Sequence, residues 1–155
     1  MRGTGIVTQK PEFGDVLLGL SLLIQRRYAQ ICADHCLTPA QAQLMCTVRD
    51  QPHRMADLAA RLGMAKPALS QLVDRTERRG LVQRETSAQD RRVITLAATP
   101  AGKKIADAMY AEVAARLPDI AGHLCAEDQQ RLADLTSAVT ALHLPGLMSG
   151  EGCGC

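Results

Sequence analysis

Apolar residues recur at three- and four-residue steps along most of this 155-residue chain, and each run has a start and a stop signal. Phe13, Leu17, Leu20, Ile24, Tyr28 and Ile31 mark a long first helix that opens at Pro11-Glu12 and ends near Cys36. Thr38-Pro39 caps a second helix reaching about Arg49, with Leu44, Met45 and Val48 on its buried side. Asp50-Gln51-Pro52-His53 breaks it. A short third helix, Met55 to Leu62, stops at Gly63, and a fourth runs from Lys66 to Arg79 and stops at Gly80. Leu81–Glu85 and Arg92–Leu96 are rich in β-formers around a polar tip and predict a hairpin.

A fifth helix starts at Thr99-Pro100 with the stripe Ile105, Met109, Val113, Leu117 and Ile120, and Pro118 should bend or interrupt it. Ala126-Glu127-Asp128 opens a sixth, whose Leu132, Leu135, Val139 and Leu142 are expected to face inward. Residues 1–10 are expected to form a flexible arm and residues 145–155 a flexible, glycine-rich, cysteine-containing tail. The expected fold class is mainly α: six helices plus a short β-hairpin wing following a helix-turn-helix.

Composition narrows this picture. At 46% hydrophobic the chain can build one ordinary core, and with Phe13, Tyr28 and Tyr110 as its aromatics that core must be aliphatic. The net charge of +2 hides an asymmetry: residues 54–104 carry eleven Lys/Arg against five Asp/Glu, and the remainder seven against eleven. A basic module joined to an acidic one suits a protein whose centre touches phosphates, although a solvated surface has the same signature. No apolar run reaches the 18 residues of a membrane span, and the apolar residues 16–24 lack a signal-peptide cleavage context. Six cysteines without a secretion signal point to reduced thiols and a cytoplasmic location.

The central module carries the chemistry. Leu58, Ala59 and Leu62 pack the third helix, Gly63 permits the turn, and Leu69, Leu72 and Val73 pack the fourth. The outward face of the fourth helix is then Lys66, Ala68, Ser70, Gln71, Asp74 and Arg75. Ser70 and Gln71 suit base edges in a major groove; Lys66 and Arg75 suit phosphates or guanine. In the hairpin tip Ala88-Gln89-Asp90-Arg91-Arg92, Asp90 lies two residues before Arg92 and can orient its guanidinium, the form favoured by a narrow minor groove. The same helix pair would also serve as a plain amphipathic hairpin.

The run Leu58-Ala59 … Leu62-Gly63-Met64-Ala65-Lys66-Pro67-Ala68-Leu69-Ser70-Gln71-Leu72-Val73-Asp74-Arg75 … Glu77-Arg78-Arg79-Gly80-Leu81-Val82-Gln83-Arg84, with Asp90-Arg91-Arg92 and Leu96 … Thr99-Pro100-Ala101-Gly102, resembles the MarR family of bacterial winged helix-turn-helix regulators. The order of helices fits over residues 11–144. The resemblance implies a homodimer on double-stranded DNA, reading a pseudo-palindromic operator as a transcription regulator, a repressor rather than an activator. Residues 11–36 and 99–144 would form a helical dimerisation region and residues 37–98 the DNA-binding region. Lys66, Ala68, Ser70 and Gln71 would occupy recognition-helix positions, and Arg92 the wing position, braced by Asp90. Ala65 and Ala68 stand where the family often has Ser and Thr, so the operator sequence cannot be borrowed from relatives. Dimerisation also has a physical argument of its own. The apolar first and last helices carry more hydrophobic surface than a small module can bury, and paired modules one DNA turn apart multiply specificity.

The cysteines carry three readings. As packing residues, Cys32, Cys46 and Cys125 are small buried hydrophobes. As a sensor, Cys32 and Cys36 share one helical face four residues apart and would be joined by Cys153 and Cys155 of the tail. Clustered thiolates select soft ions such as As(III), Hg(II), Cd(II), Pb(II) or Cu(I). Oxidation of one thiol is the third reading. His35 and His123 neighbour cysteines in sequence but point elsewhere on an ideal helix. A small organic ligand between the domains is a further effector class, and no cofactor is needed for the fold. No Ser-His-Asp grouping, phosphate-binding glycine loop or paired-carboxylate site occurs in a context that would suit an enzyme.

Overall fold

A computed structural model of the protein describes residues 11–86 and 93–143. Within them the elements run α1 (Phe13–Asp34), α2 (Pro39–Val48), β1 (His53–Arg54), α3 (Met55–Arg61), α4 (Lys66–Arg78), β2 (Val82–Thr86), β3 (Ile94–Ala98), α5 (Pro100–Arg116) and α6 (Ala126–His143). A 3-10 turn, Leu117–Ala121, follows α5 directly, so Pro118 interrupts the helix as its position predicts.

The three strands form one antiparallel sheet in the order β1-β3-β2. Val82 pairs with Ala98 and Thr86 with Ile94, while His53 and Arg54 pair with Leu96 and Thr95. The hairpin is therefore present, with each strand moved toward the C-terminus of its expected span. Leu81 belongs instead to the end of α4, and Ala97 and Ala98 are drawn into the ladder by Val82 and Gln83 despite weak β propensity. The strand β1 lies in what reads locally as a helix break; two residues are too few to show a period.

The core is aliphatic. Ile31, Leu44, Met45, Val48, Leu58, Leu69, Val73, Leu96 and Met109 are fully or almost fully buried, drawn from α1 through α5. The expected inward face of α6 is corrected by the structure: Leu135 is 63%, Val139 59% and Leu142 82% exposed. The N-terminal half of α1 is likewise open, with Phe13, Leu17, Leu18, Leu22 and Leu23 at least half exposed. Periodicity located these apolar faces, but a single copy of the chain does not cover them. Between them lies an open apolar groove of about 740 Å³ formed by α1, α5, the 3-10 turn and α6, with Leu20, Ile24, Val113 and Leu132 among its walls.

Three helices end in the same way. After α1, α3 and α4 the chain turns left-handed at Cys36, Gly63 and Gly80, with φ of 55°, 60° and 70°. In each case the next residue donates its N–H back five positions: Leu37 to Cys32 O, Met64 to Ala59 O, and Leu81 to Thr76 O, at 2.9, 3.0 and 3.2 Å. These are Schellman ends, and glycine suits the left-handed position because it has no Cβ. Cys36 is the exception. Cys36→Gly is expected to raise stability by about 1 kcal/mol, a few degrees in thermal melting. Unchanged or lowered melting would show that the Cys36 side chain makes a compensating contact.

The last of these ends is joined to α5. Thr99 caps α5 by accepting the Gly102 N–H at 3.0 Å, and its hydroxyl donates to Gly80 O at 2.6 Å. The Thr99 N–H donates to Leu81 O at 3.0 Å. Gly102 packs directly on this corner.

Candidate nucleic-acid interface

The third and fourth helices meet across Leu62-Gly63-Met64 and present one side of α4 to solvent. Leu69, Leu72, Val73 and Thr76 are buried beneath it, with the Thr76 hydroxyl satisfied by donating to Leu72 O at 2.7 Å. Lys66, Ala68, Ser70, Gln71 and Arg75 are exposed. Five of the six residues assigned to the outward face are thus where the helical period put them. Ala65 occupies the N-cap and supplies no side-chain cap, as its lost hydroxyl implies.

The sixth residue, Asp74, is occupied. Arg84 of β2 reaches back along α4, its Nη2 donating to Asp74 Oδ1 at 2.5 Å and its Nη1 pairing with Glu77 Oε2. The Arg84 backbone N–H donates to the other Glu77 oxygen at 3.1 Å. Hydrogen bonding to Asp74, helped by the charge of Glu77, raises the Arg84 pKa above its ordinary value against the opposing effect of burial. Sequence reasoning missed this contact because Arg84 lies seven and ten positions from its partners on a different element. Only the turn of β2 back over α4 brings them together.

Arg79, just past α4, extends in the other direction. Its Nη1 donates to Cys36 O at 2.6 Å and approaches Gln41 Oε1 at 3.4 Å, which ties the end of α4 to the corner between α1 and α2. Gln41 is itself part of the α2 capping box, where Thr38 accepts the Gln41 N–H at 3.2 Å.

Asp90 and Arg92 lie outside the described residues. They belong to the segment joining Thr86 to Ile94, the last paired residues of the hairpin.

The thiolate set is not assembled as expected. Cys32 is fully buried within the core cluster, whereas Cys36 is exposed. The two do not share a helical face, because α1 ends at Asp34 and Cys36 sits in the left-handed turn beyond it. Cys46 is buried, and Cys125 is exposed with its thiol donating to Asp128 Oδ2 at 3.4 Å. His35 turns toward α5, with Nε2 3.5 Å from Glu112 Oε1. Among the described residues no group of three or more His, Cys, Asp or Glu side chains could hold a metal. Cys153 and Cys155 lie outside the described residues. No helix among those residues is long and apolar enough to cross a membrane.

Comparison with known proteins agrees with this architecture. Residues 37–93 match the family model described as MarR family. Wild-type MarR from E. coli, in its apo form, superposes with a TM-score of 0.77 at 21% identity, over 85% of this chain and 98% of that one. The transcriptional repressor CouR, bound to a 23-mer DNA duplex, gives a TM-score of 0.70 at 28% identity, over 84% of this chain and 92% of that one. A point mutant of MepR from S. aureus, bound to an oligodeoxyribonucleotide, gives 0.63 at 20% identity, over 86% and 99%. A search of the curated proteins finds no match.

Proposed function

We propose that this chain, whose residues 37–93 match the MarR family model, is a homodimeric, sequence-specific DNA-binding transcription regulator that represses its targets in the cytoplasm. It is a regulator and not an enzyme. The observation that carries the reading is the exposed side of α4, where Ser70 and Gln71 sit between Lys66 and Arg75 on a helix anchored from below by four buried residues. Such a helix enters a major groove with polar groups toward base edges and cations toward phosphates. CouR, solved on a 23-mer DNA duplex, has a similar architecture.

Binding is measured by mobility shift on a selected operator. Arg92→Ala is expected to weaken it by about 1–3 kcal/mol, roughly 5- to 150-fold, and Ser70→Ala or Gln71→Ala to relax base preference. Undiminished operator binding by Arg92→Ala sinks the wing assignment, and salt-independent binding sinks the nucleic-acid reading altogether.

The dimer uses the faces left open on α1 and α6, residues 11–36 and 99–144 supplying the interface and 37–98 the reader. The effector acts through thiols, with Cys32 removed from the set because its sulfur is sealed in the core. What supports the thiol reading is Cys36, exposed at the α1–α2 corner with its carbonyl held by Arg79 at the end of α4. A soft ion such as As(III) or Cd(II), held by Cys36 with Cys153 and Cys155, would act on that corner. Operator release by each ion is compared between wild type, Cys36→Ser, and the Cys153→Ser/Cys155→Ser variant. Unchanged release in both variants removes the thiol reading in favour of a small organic ligand.

A further inference from the structure

We propose that Arg84 is a positioning residue for DNA recognition: it clamps the paired strands of the β2–β3 hairpin to α4, so that helix and hairpin are presented to DNA as one reader. The inference rests on the DNA-binding reading above. Three bonds run from this single strand residue to one helix, two from the guanidinium and one from the backbone N–H. Both Glu77 oxygens are used, one by the side chain and one by the main chain of the same residue. Asp74 and Glu77 are three apart and so share a side of α4, which gives the planar arginine fork two acceptors in fixed positions.

The clamp is placed where it controls the hairpin. Arg84 pairs with Leu96, the buried residue of β3 that also pairs with His53 of β1, so the grip is taken at the middle row of the sheet. From that row the two strands run on to Thr86 and Ile94, where the tip segment with Arg92 begins. A rotation of the hairpin about α4 would break all three bonds together. The clamp also settles the charge of the reading face. Asp74 lies three and four residues beyond Gln71 and Ser70, and its carboxylate would repel phosphates there if Arg84 did not neutralise it. Arg84 is therefore a cation of the basic module that is spent inside the protein and is not offered to DNA.

A clamp of this kind predicts coupling, which a merely stabilising ion pair does not. Operator affinity is measured by fluorescence anisotropy for wild type, Arg92→Ala, Arg84→Met and the double variant, with folding checked by circular dichroism and melting. Arg92→Ala is expected to weaken binding about tenfold or more in the wild-type background and less than about threefold beside Arg84→Met, because an unclamped tip no longer arrives at its groove. Arg84→Lys, which keeps the charge but loses the fork, should behave like Arg84→Met. Should Arg84→Met not fold, the neutral isosteres Asp74→Asn/Glu77→Gln replace it in the same cycle. Equal loss from Arg92→Ala in both backgrounds, or an undiminished loss from Arg92→Ala beside Arg84→Lys, overturns the clamp and leaves the wing assignment standing. An inert Arg92→Ala in wild type overturns both.

Discussion

Gly102→Ala is expected to lower the melting temperature by about 10 °C and to leave little folded protein in a destabilising background. A Cβ at position 102 would lie 1.9 Å from Leu81 O and 2.9 Å from Leu81 C, with Met45 Cε at 2.8 Å. The methionine end could swing away; the peptide of Leu81 cannot. Its oxygen accepts from the Thr99 N–H, and its N–H closes the Schellman end of α4. Making room therefore means lifting α5 from the corner and breaking the Thr99 bonds to Gly80 and Leu81. Overpacking costs about 1–3 kcal/mol, and each of the two lost bonds adds about 1, so about 3–5 kcal/mol is the expected sum. At roughly 2–4 °C per kcal/mol for a chain of this size, this gives the stated shift. Gly14→Ala and Gly19→Ala are the controls, since both lie in α1 with nothing within 4 Å of a built Cβ. Each should be neutral or stabilising by up to about 1 kcal/mol through helix propensity. Equal melting of Gly102→Ala and these controls would show that the corner yields.

Leu135→Asp combined with Val139→Asp is expected to convert the protein to a monomer and remove measurable operator binding while sparing the protomer fold. Both residues are more than half exposed in one copy, and with Leu142 they follow the i, i+4, i+7 spacing of a buried helical stripe. Burial of each such side chain is worth about 1.5–3 kcal/mol, so a two-fold interface repeats the gain. A buried aspartate in its place reverses it. Because the stripe is open in the protomer, melting of the isolated chain should change little. Binding falls because two linked readers act at an effective concentration that separate monomers lack, a loss of about 100-fold or more. Light scattering gives the mass and anisotropy gives the affinity. A variant that remains dimeric with wild-type affinity would place the interface elsewhere.

What could be read from the chain before its folding was local. The helix pair around Gly63, the stop at Gly80, the Thr38 and Thr99 caps and the break at Pro118 each carry their signal within a few residues, and all are present. What could not be read depends on partners far along the chain. The strand His53–Arg54 exists because Thr95 and Leu96 lie beside it. Asp74 looks free on its helix until β2 folds Arg84 onto it. The four-residue spacing of Cys32 and Cys36 implies one face only if both lie within the helix, and a cysteine at the expected helix end gives no sign that it takes the left-handed position beyond the last turn. The leucines of α6 show the complementary limit: a period reveals an apolar face without revealing what covers it.

The corner where Thr99, Gly102 and Leu81 meet has a mechanical consequence. The end of α4 and the first turn of α5 are joined by direct bonds from Thr99 to Gly80 O and Leu81 O, which bypass the intervening sheet. On the proposed DNA-binding reading, a recognition helix mounted this way would travel with α5 as the end of a lever. In a two-fold assembly the separation of the two reading heads is then a geometric readout of how the long helices pack. A disturbance of that packing of an ångström or so would change the fit to DNA without a single contact at the reading face being altered.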